Sequence, residues 1–245
     1  MPFGDMLTVN DRYWADLTPA DLEMMVAAGE DILECYRVLT KVGGNVVGEI
    51  LRHEGTFYEW DHYPTGDVYD KDTHAQYYYH AHRGVENEHG HFHTFLRRKG
   101  MPKGIEPAPY SGDADVPDGE DVITHFAAIS MDKQGYPTHL FTTNRWVTGE
   151  NWFKAEDVKA MLDYFLIDHA WPSWPANRWI SAMMSLFRPQ IFALLDARDL
   201  KIGDWTAMHP NVDVYEDRDL EITSITAISV DEQLARARQE LAARQ

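Results

Sequence analysis

Histidine recurs at alternate positions on both sides of a short gap, as His80-Ala81-His82 and then His89-Gly90-His91-Phe92-His93. In an extended strand, residues i and i+2 share a face and lie roughly 6.5 Å apart along the chain. His80 and His82 therefore point together, and so do His89, His91 and His93. Residues 83–88 between the two runs fit the loop of a hairpin. Setting His82 opposite His89 puts His80 against His91 and Tyr78 against His93. Directly opposed side chains share a face, with Cβ atoms about 5 Å apart. The spacing thus predicts a hairpin with five histidines and Tyr78 on one surface, and Tyr77, Tyr79, Ala81, Gly90, Phe92 and Thr94 on a core surface. A slip of one residue would scatter the histidines into that core.

Imidazole nitrogens bind zinc, iron, copper and nickel. Three or four of them, drawn from two neighbouring strands, can close on one ion. The candidate ligands are His80, His82, His91 and His93, with His89 or Glu88 as replacements or outer partners and Glu86 as a further carboxylate of the loop. The expected cofactor is a divalent transition metal: Fe, Zn, Cu or Ni. Two further residues are candidates for catalysis. Tyr78 shares the histidine face and can donate a proton. Arg145 can hold an anionic group of a substrate through its planar fork, or can pair with one of the chain's 40 acids.

The rest of the chain predicts the layers around this hairpin. Thr18-Pro19-Ala20-Asp21 is a helix start, with a hydroxyl cap, Pro in the first turn and an acid near the positive dipole end. Apolar residues follow at helical spacing until Gly43-Gly44, and residues 45–53 fit a second short helix. From residue 55 to 73 the chain is polar and turn-rich, with a turn at Pro64-Thr65-Gly66-Asp67. Strands are expected over 75–82 and 89–96, then over 122–131 and 136–146 as a second hairpin around Asp132-Lys133-Gln134-Gly135. Pairing Met131 with Tyr136 sets His125 opposite Thr142 and His139 opposite Ala128, on opposite faces; His139 is the preferred extra ligand. Helices are expected over 155–169, over 175–197 with a break near Pro189, and over 231–244, with a strand over 220–229 before the last. The fold class is α+β: a mainly antiparallel sheet of two hairpins plus a C-terminal strand, flanked by helices. No linker separates two cores, so residues 1–245 are expected to form a single domain.

Composition limits the partners. The net charge is −18 with histidine neutral, which repels phosphate backbones, so no nucleic acid is expected. No apolar stretch approaches the ~20 residues that span a bilayer, so no membrane is expected. The first ten residues lack a cationic segment followed by an apolar run. The lone Cys35 excludes an intramolecular disulfide. A cytoplasmic location follows as the expectation. The eight tryptophans are compatible with a homo-oligomer surface or with a core.

His80-x-His82-x-x-x-Glu86 resembles the first metal motif of cupins, in which two His and a Glu bind a metal in a β-barrel; the flanking glycines of that motif are absent here. The runs Tyr77-Tyr78-Tyr79-His80-Ala81-His82-Arg83 and Glu88-His89-Gly90-His91-Phe92-His93-Thr94-Phe95, with Asn144-Arg145-Trp146-Val147-Thr148-Gly149-Glu150, resemble those of a bacterial family of unknown function over most of the chain.

There is no Gly-rich phosphate loop, nucleophile elbow or HExxH helix. The leading expectation is a mononuclear metalloenzyme acting on a small-molecule substrate, with oxidoreductase as the preferred class. The alternatives are a metal-binding module for storage, sensing or partner recognition, and a metal-free enzyme using a histidine pair for acid–base work.

Overall fold

The structure, a computed structural model, describes residues 6–82 and 87–244. Its helices are α1 (Arg12–Ala15), α2 (Pro19–Thr40), α3 (Val46–Leu51), α4 (Arg145–Thr148), α5 (Ala155–Met161), α6 (Trp174–Leu186), α7 (Arg188–Met208) and α8 (Val230–Ala242). The strands are β1 (Tyr63–Tyr69), β2 (Ala75–His80), β3 (Gly90–Arg97), β4 (Ile123–Met131), β5 (Pro137–Thr143) and β6 (Ile222–Ala227). They form one antiparallel sheet in chain order, β1-β2-β3-β4-β5-β6. The fold is α+β.

Local signals explain the helix positions. Thr18 and Asp21 form a capping box: Asp21 N–H donates to Thr18 Oγ1 at 3.2 Å, and Thr18 N–H donates to Asp21 Oδ2 at 2.8 Å. The buried face of α2, from Leu22 through Met25, Ile32 and Cys35 to Leu39, repeats at helical spacing. Burial also pushes the Cys35 thiol up to about 11. Helix α8 packs on α2 where Gly29 removes a side chain; a Cβ there would stand 2.7 Å from Leu234 Cδ1. The expected break near Pro189 is a full boundary at Phe187, with Pro189 in the first turn of α7, where its missing N–H does no harm.

Two expectations are corrected. The helix over 155–169 ends at Met161 and passes into a 3₁₀ turn at Leu162–Tyr164. Beyond it the backbone is tied sideways: Thr73 Oγ1 donates to Leu166 O, Ile167 N–H to Ser181 Oγ, and Asp168 N–H to Asp70 Oδ2. The segment read as a polar turn contains β1. Its Pro-Thr-Gly-Asp turn sits inside the strand, where pairing shifts between Tyr63↔Tyr79 and Val68↔Tyr77 and where Gly66 and Asp67 have φ of 87° and 58°.

The two faces of the sheet differ. Tyr77, Tyr79, Phe92, Ile129 and Leu140 belong to the main core, which draws residues from Trp14 to Ala237. Trp179 of α6 packs on Phe92, and α7 lies against β4, β5 and β6. The other face carries two rows of opposed residues. One runs Tyr78↔His93↔Ala128↔Phe141↔Ile225; the next runs His80↔His91↔Ser130↔His139↔Ala227. No helix of the described residues is long and apolar enough to cross a membrane.

Candidate metal centre

The β2–β3 register pairs Tyr78 with His93 and His80 with His91. Both strands lie inside the sheet, so neighbours on both sides hold this register. His80, His91 and His93 are buried, and each offers a ring nitrogen such that the three atoms lie within 4.8 Å of one another. Among the described residues this is the one group of histidines, cysteines or carboxylates arranged to hold a metal ion. Its ring centroids are 4.5 Å apart for His80–His91, 5.0 Å for His91–His93 and 5.1 Å for His80–His93.

Outer partners hold two of these rings. His91 Nδ1 lies 2.8 Å from Glu88 Oε1, with both side chains buried. His93 Nδ1 lies 3.0 Å from His125 Nε2. An outer partner on Nδ1 is the arrangement metal-bound histidines use when Nε2 is the ligand atom. Glu88 thus stands behind His91. Glu86 lies outside the described residues.

His82 follows the end of β2. Its ring is half-buried, 4.7 Å from that of His80 and 5.2 Å from that of His91, and it stacks on Trp60 at 4.3 Å. His62 stacks on Tyr78 at 3.6 Å, and its Nδ1 is 3.2 Å from Asp67 Oδ1. Trp60, at φ 76° and 68% exposed, therefore joins the buried triad to the surface through His82.

The expectation that His89 shares the triad's face is corrected. Its Nδ1 is 2.6 Å from the Tyr79 hydroxyl and its ring packs on Phe57, both part of the core side. His89 precedes β3, so strand alternation does not bind its side chain. Burial, and then Lys133, lower its pKa. Gly90 makes this arrangement possible: a Cβ there would meet His80 O and Tyr79 Oη at 2.5 Å each. Gly90→Ala is expected to lose about 1–3 kcal/mol by overpacking, read as a lower urea midpoint; an unchanged midpoint would contradict the close approach.

The relation between His125 and His139 is corrected as well. Ala128 faces His93 but His125 faces Phe95, so three steps on β4 match two on β3. This bulge at Phe126-Ala127 reverses the alternation and turns His125 toward the triad. The β4–β5 register also differs from the expected one, with Ser130 opposite His139 and Met131 opposite Pro137. His139 shares the triad's face but lies two strands from His91, about 10 Å by strand spacing, with Nδ1 3.0 Å from Thr138 Oγ1. Sequence reasoning passed over His125 because a bulge leaves no mark in the apolar pattern of Phe126-Ala127-Ala128-Ile129.

Burial, then the charge of Arg198 and His91, push His125 down to about 3, so it is a neutral imidazole. Its backbone N–H donates to Glu150 Oε2 at 2.6 Å. Burial raises Glu150 from 4.5 to about 7, against the opposing effect of Arg198 and three hydrogen-bond donors. A carboxyl raised in the folded state contributes stability that is full below the unfolded value and lost as pH rises through the folded one. Stability therefore falls with pH between about 4.5 and about 7 on account of Glu150. Glu150→Gln is expected to gain on the parent from pH 5 to pH 8 in urea melts, by up to about 3 kcal/mol; a pH-independent difference would contradict this.

Of the two catalytic candidates, Tyr78 lies in the site. Its ring is 5.2 Å from those of both His80 and His93, and burial raises its phenol pKa, so the hydroxyl stays protonated. Arg145 is buried at the start of α4. Its guanidinium pairs with Glu216, donates to Asp115 O and lies over the Tyr110 ring. These partners come from the 106–118 and 214–216 segments, and they make Arg145 a tie between loops.

Fold and site together define an α+β protein whose six-stranded antiparallel sheet carries three buried, converging imidazoles. Residues 26–228 match a family described as a domain of unknown function, DUF6969, and the chain belongs to it. Neither the curated proteins nor the solved structures give a match.

Proposed function

We propose that this protein is a metal-dependent enzyme. His80, His91 and His93 hold one divalent transition metal (Fe, Zn, Cu or Ni), and a small-molecule substrate reacts beside it by oxidation–reduction. The observation that carries this reading is the triad: three buried rings, one ligand atom each, within 4.8 Å. Burying three imidazoles side by side desolvates them all, and a shared metal ion offsets that. Three protein ligands leave a position for a small molecule, as catalytic sites do and closed structural sites do not. Tyr78 supports the redox class, since its protonated phenol packs on two of the ligands. Trp60, His62 and His82 provide the side of the site that meets solvent.

Cobalt titration into chelator-treated protein tests the centre. One equivalent, with visible ligand-field bands that are lost in His91→Ala, is the expected result; no bands in the parent would overturn it. Oxygen uptake by iron- or copper-loaded protein over a panel of small phenols and thiols tests the reaction class. Uptake that disappears in His91→Ala supports it, and none with either metal would remove the redox assignment.

A further inference from the structure

We infer that His125 is a positioning residue for the triad, holding His93 in the tautomer that presents Nε2 to a metal, and that the β4 bulge exists to put it there. The inference rests on the metal-centre reading above. The contact between His93 Nδ1 and His125 Nε2, 3.0 Å, requires one nitrogen to donate and the other to accept. With the proton on His93 Nδ1, His125 accepts at Nε2 and carries its own proton on Nδ1; His93 Nε2 then has a lone pair for the metal. The reverse arrangement makes His93 Nδ1 the acceptor and puts the proton of a neutral ring on His93 Nε2, which closes that nitrogen to metal.

The backbone is built around this contact. Regular alternation along β4 would send His125 to the face opposite Ala128, into the helix-packed core. The bulge instead gives both residues the same face. Two bonds outside the strand ladder brace it. Thr94 Oγ1 donates to Ala127 O at 2.7 Å, and Glu150 Oε2 accepts the His125 N–H at 2.6 Å. Thr94, His125 and Glu150 are all buried, at 0%, 2% and 1% exposure, so the brace is shielded from water. Glu88 does the same for His91 from the hairpin end, at 2.8 Å. Two ligands thus carry partners of different kinds, a carboxylate on His91 and a neutral imidazole on His93.

The test is a competition titration of zinc and cobalt against a chelator, on the parent, His125→Phe and His125→Gln. Phenylalanine fills the same space beside Phe95 but accepts no hydrogen bond; glutamine restores an acceptor near the position of Nε2. Loss of an outer partner weakens metal affinity about 10–100-fold, and that is the expectation for His125→Phe. His125→Gln should stay within about threefold of the parent, since it keeps the acceptor. The cobalt spectrum should shift in His125→Phe and return toward the parent's in His125→Gln. If His125→Phe does not fold, His125→Asn, whose amide falls short of His93, takes its place with the same expectation. A parent that binds metal, with all variants binding as tightly or with His125→Gln weakened as much as His125→Phe, overturns the positioning role and leaves the metal centre standing. A parent that binds neither metal overturns both.

Discussion

His93→Ala is expected to weaken binding of a divalent transition metal at least about a hundredfold, or ~3 kcal/mol, while His89→Ala leaves it unchanged. The contrast follows from the register. His93 faces Tyr78 on one side and Ala128 on the other, at the centre of the sheet, and is one of three converging imidazoles. Removing it leaves two imidazoles, too few for a stable site without further protein ligands. His89 sits in the same run but its ring is bound to the Tyr79 hydroxyl on the core side. A chelator competition on both variants reads the difference. Equal loss in the two would mean that the hairpin binds metal as an undifferentiated histidine cluster.

Asn177→Leu is expected to destabilise the fold by about 3–5 kcal/mol, through buried groups left without partners. Asn177 is fully buried in α6 and uses both ends of its amide. Its Oδ1 accepts from Tyr77 Oη at 2.6 Å, and its Nδ2 donates to His169 O at 2.8 Å and Trp171 O at 2.7 Å. One side chain thus ties α6 to β2 and to the 169–171 segment. Leucine is similar in size but leaves a hydroxyl and two carbonyls in a dry interior. Urea denaturation monitored by circular dichroism measures the loss. A change under about 1 kcal/mol would mean that these groups find water or one another.

Much of the candidate site is legible in the sequence because strand alternation is rigid. The pairing of Tyr78 with His93 and His80 with His91 follows from keeping the histidines on one face, and the structure has that pairing. The α+β class was legible too, since helical spacing around Leu22 to Leu39 and alternation around the histidines are different periods. What escaped lies where alternation breaks. His125 reaches the triad through a bulge whose extra residue is apolar like its neighbours, and β1 carries a turn inside a strand. His89 lies one residue before β3, where its N–H still bonds Met131 O at 2.8 Å but strand alternation no longer directs its ring. The run Asn144-Arg145-Trp146 recurs as Asn177-Arg178-Trp179, and the two do similar work. Asn144 donates to Val214 O and Trp146 to Leu220 O, while Asn177 donates to two loop carbonyls and Trp179 to Tyr36 Oη. In both, a buried amide and an indole N–H fasten a helix to segments outside it, and only the folded chain shows which.

Elemental analysis by mass spectrometry, on protein purified without an affinity tag or chelator, tests the central claim most directly. The account predicts about one equivalent of Fe, Zn, Cu or Ni per chain, absent from a His80→Ala/His91→Ala double variant that still folds. No metal in the parent, even after reconstitution with each of the four ions, would contradict it, and the three imidazoles would then be a packing or acid–base feature of the sheet.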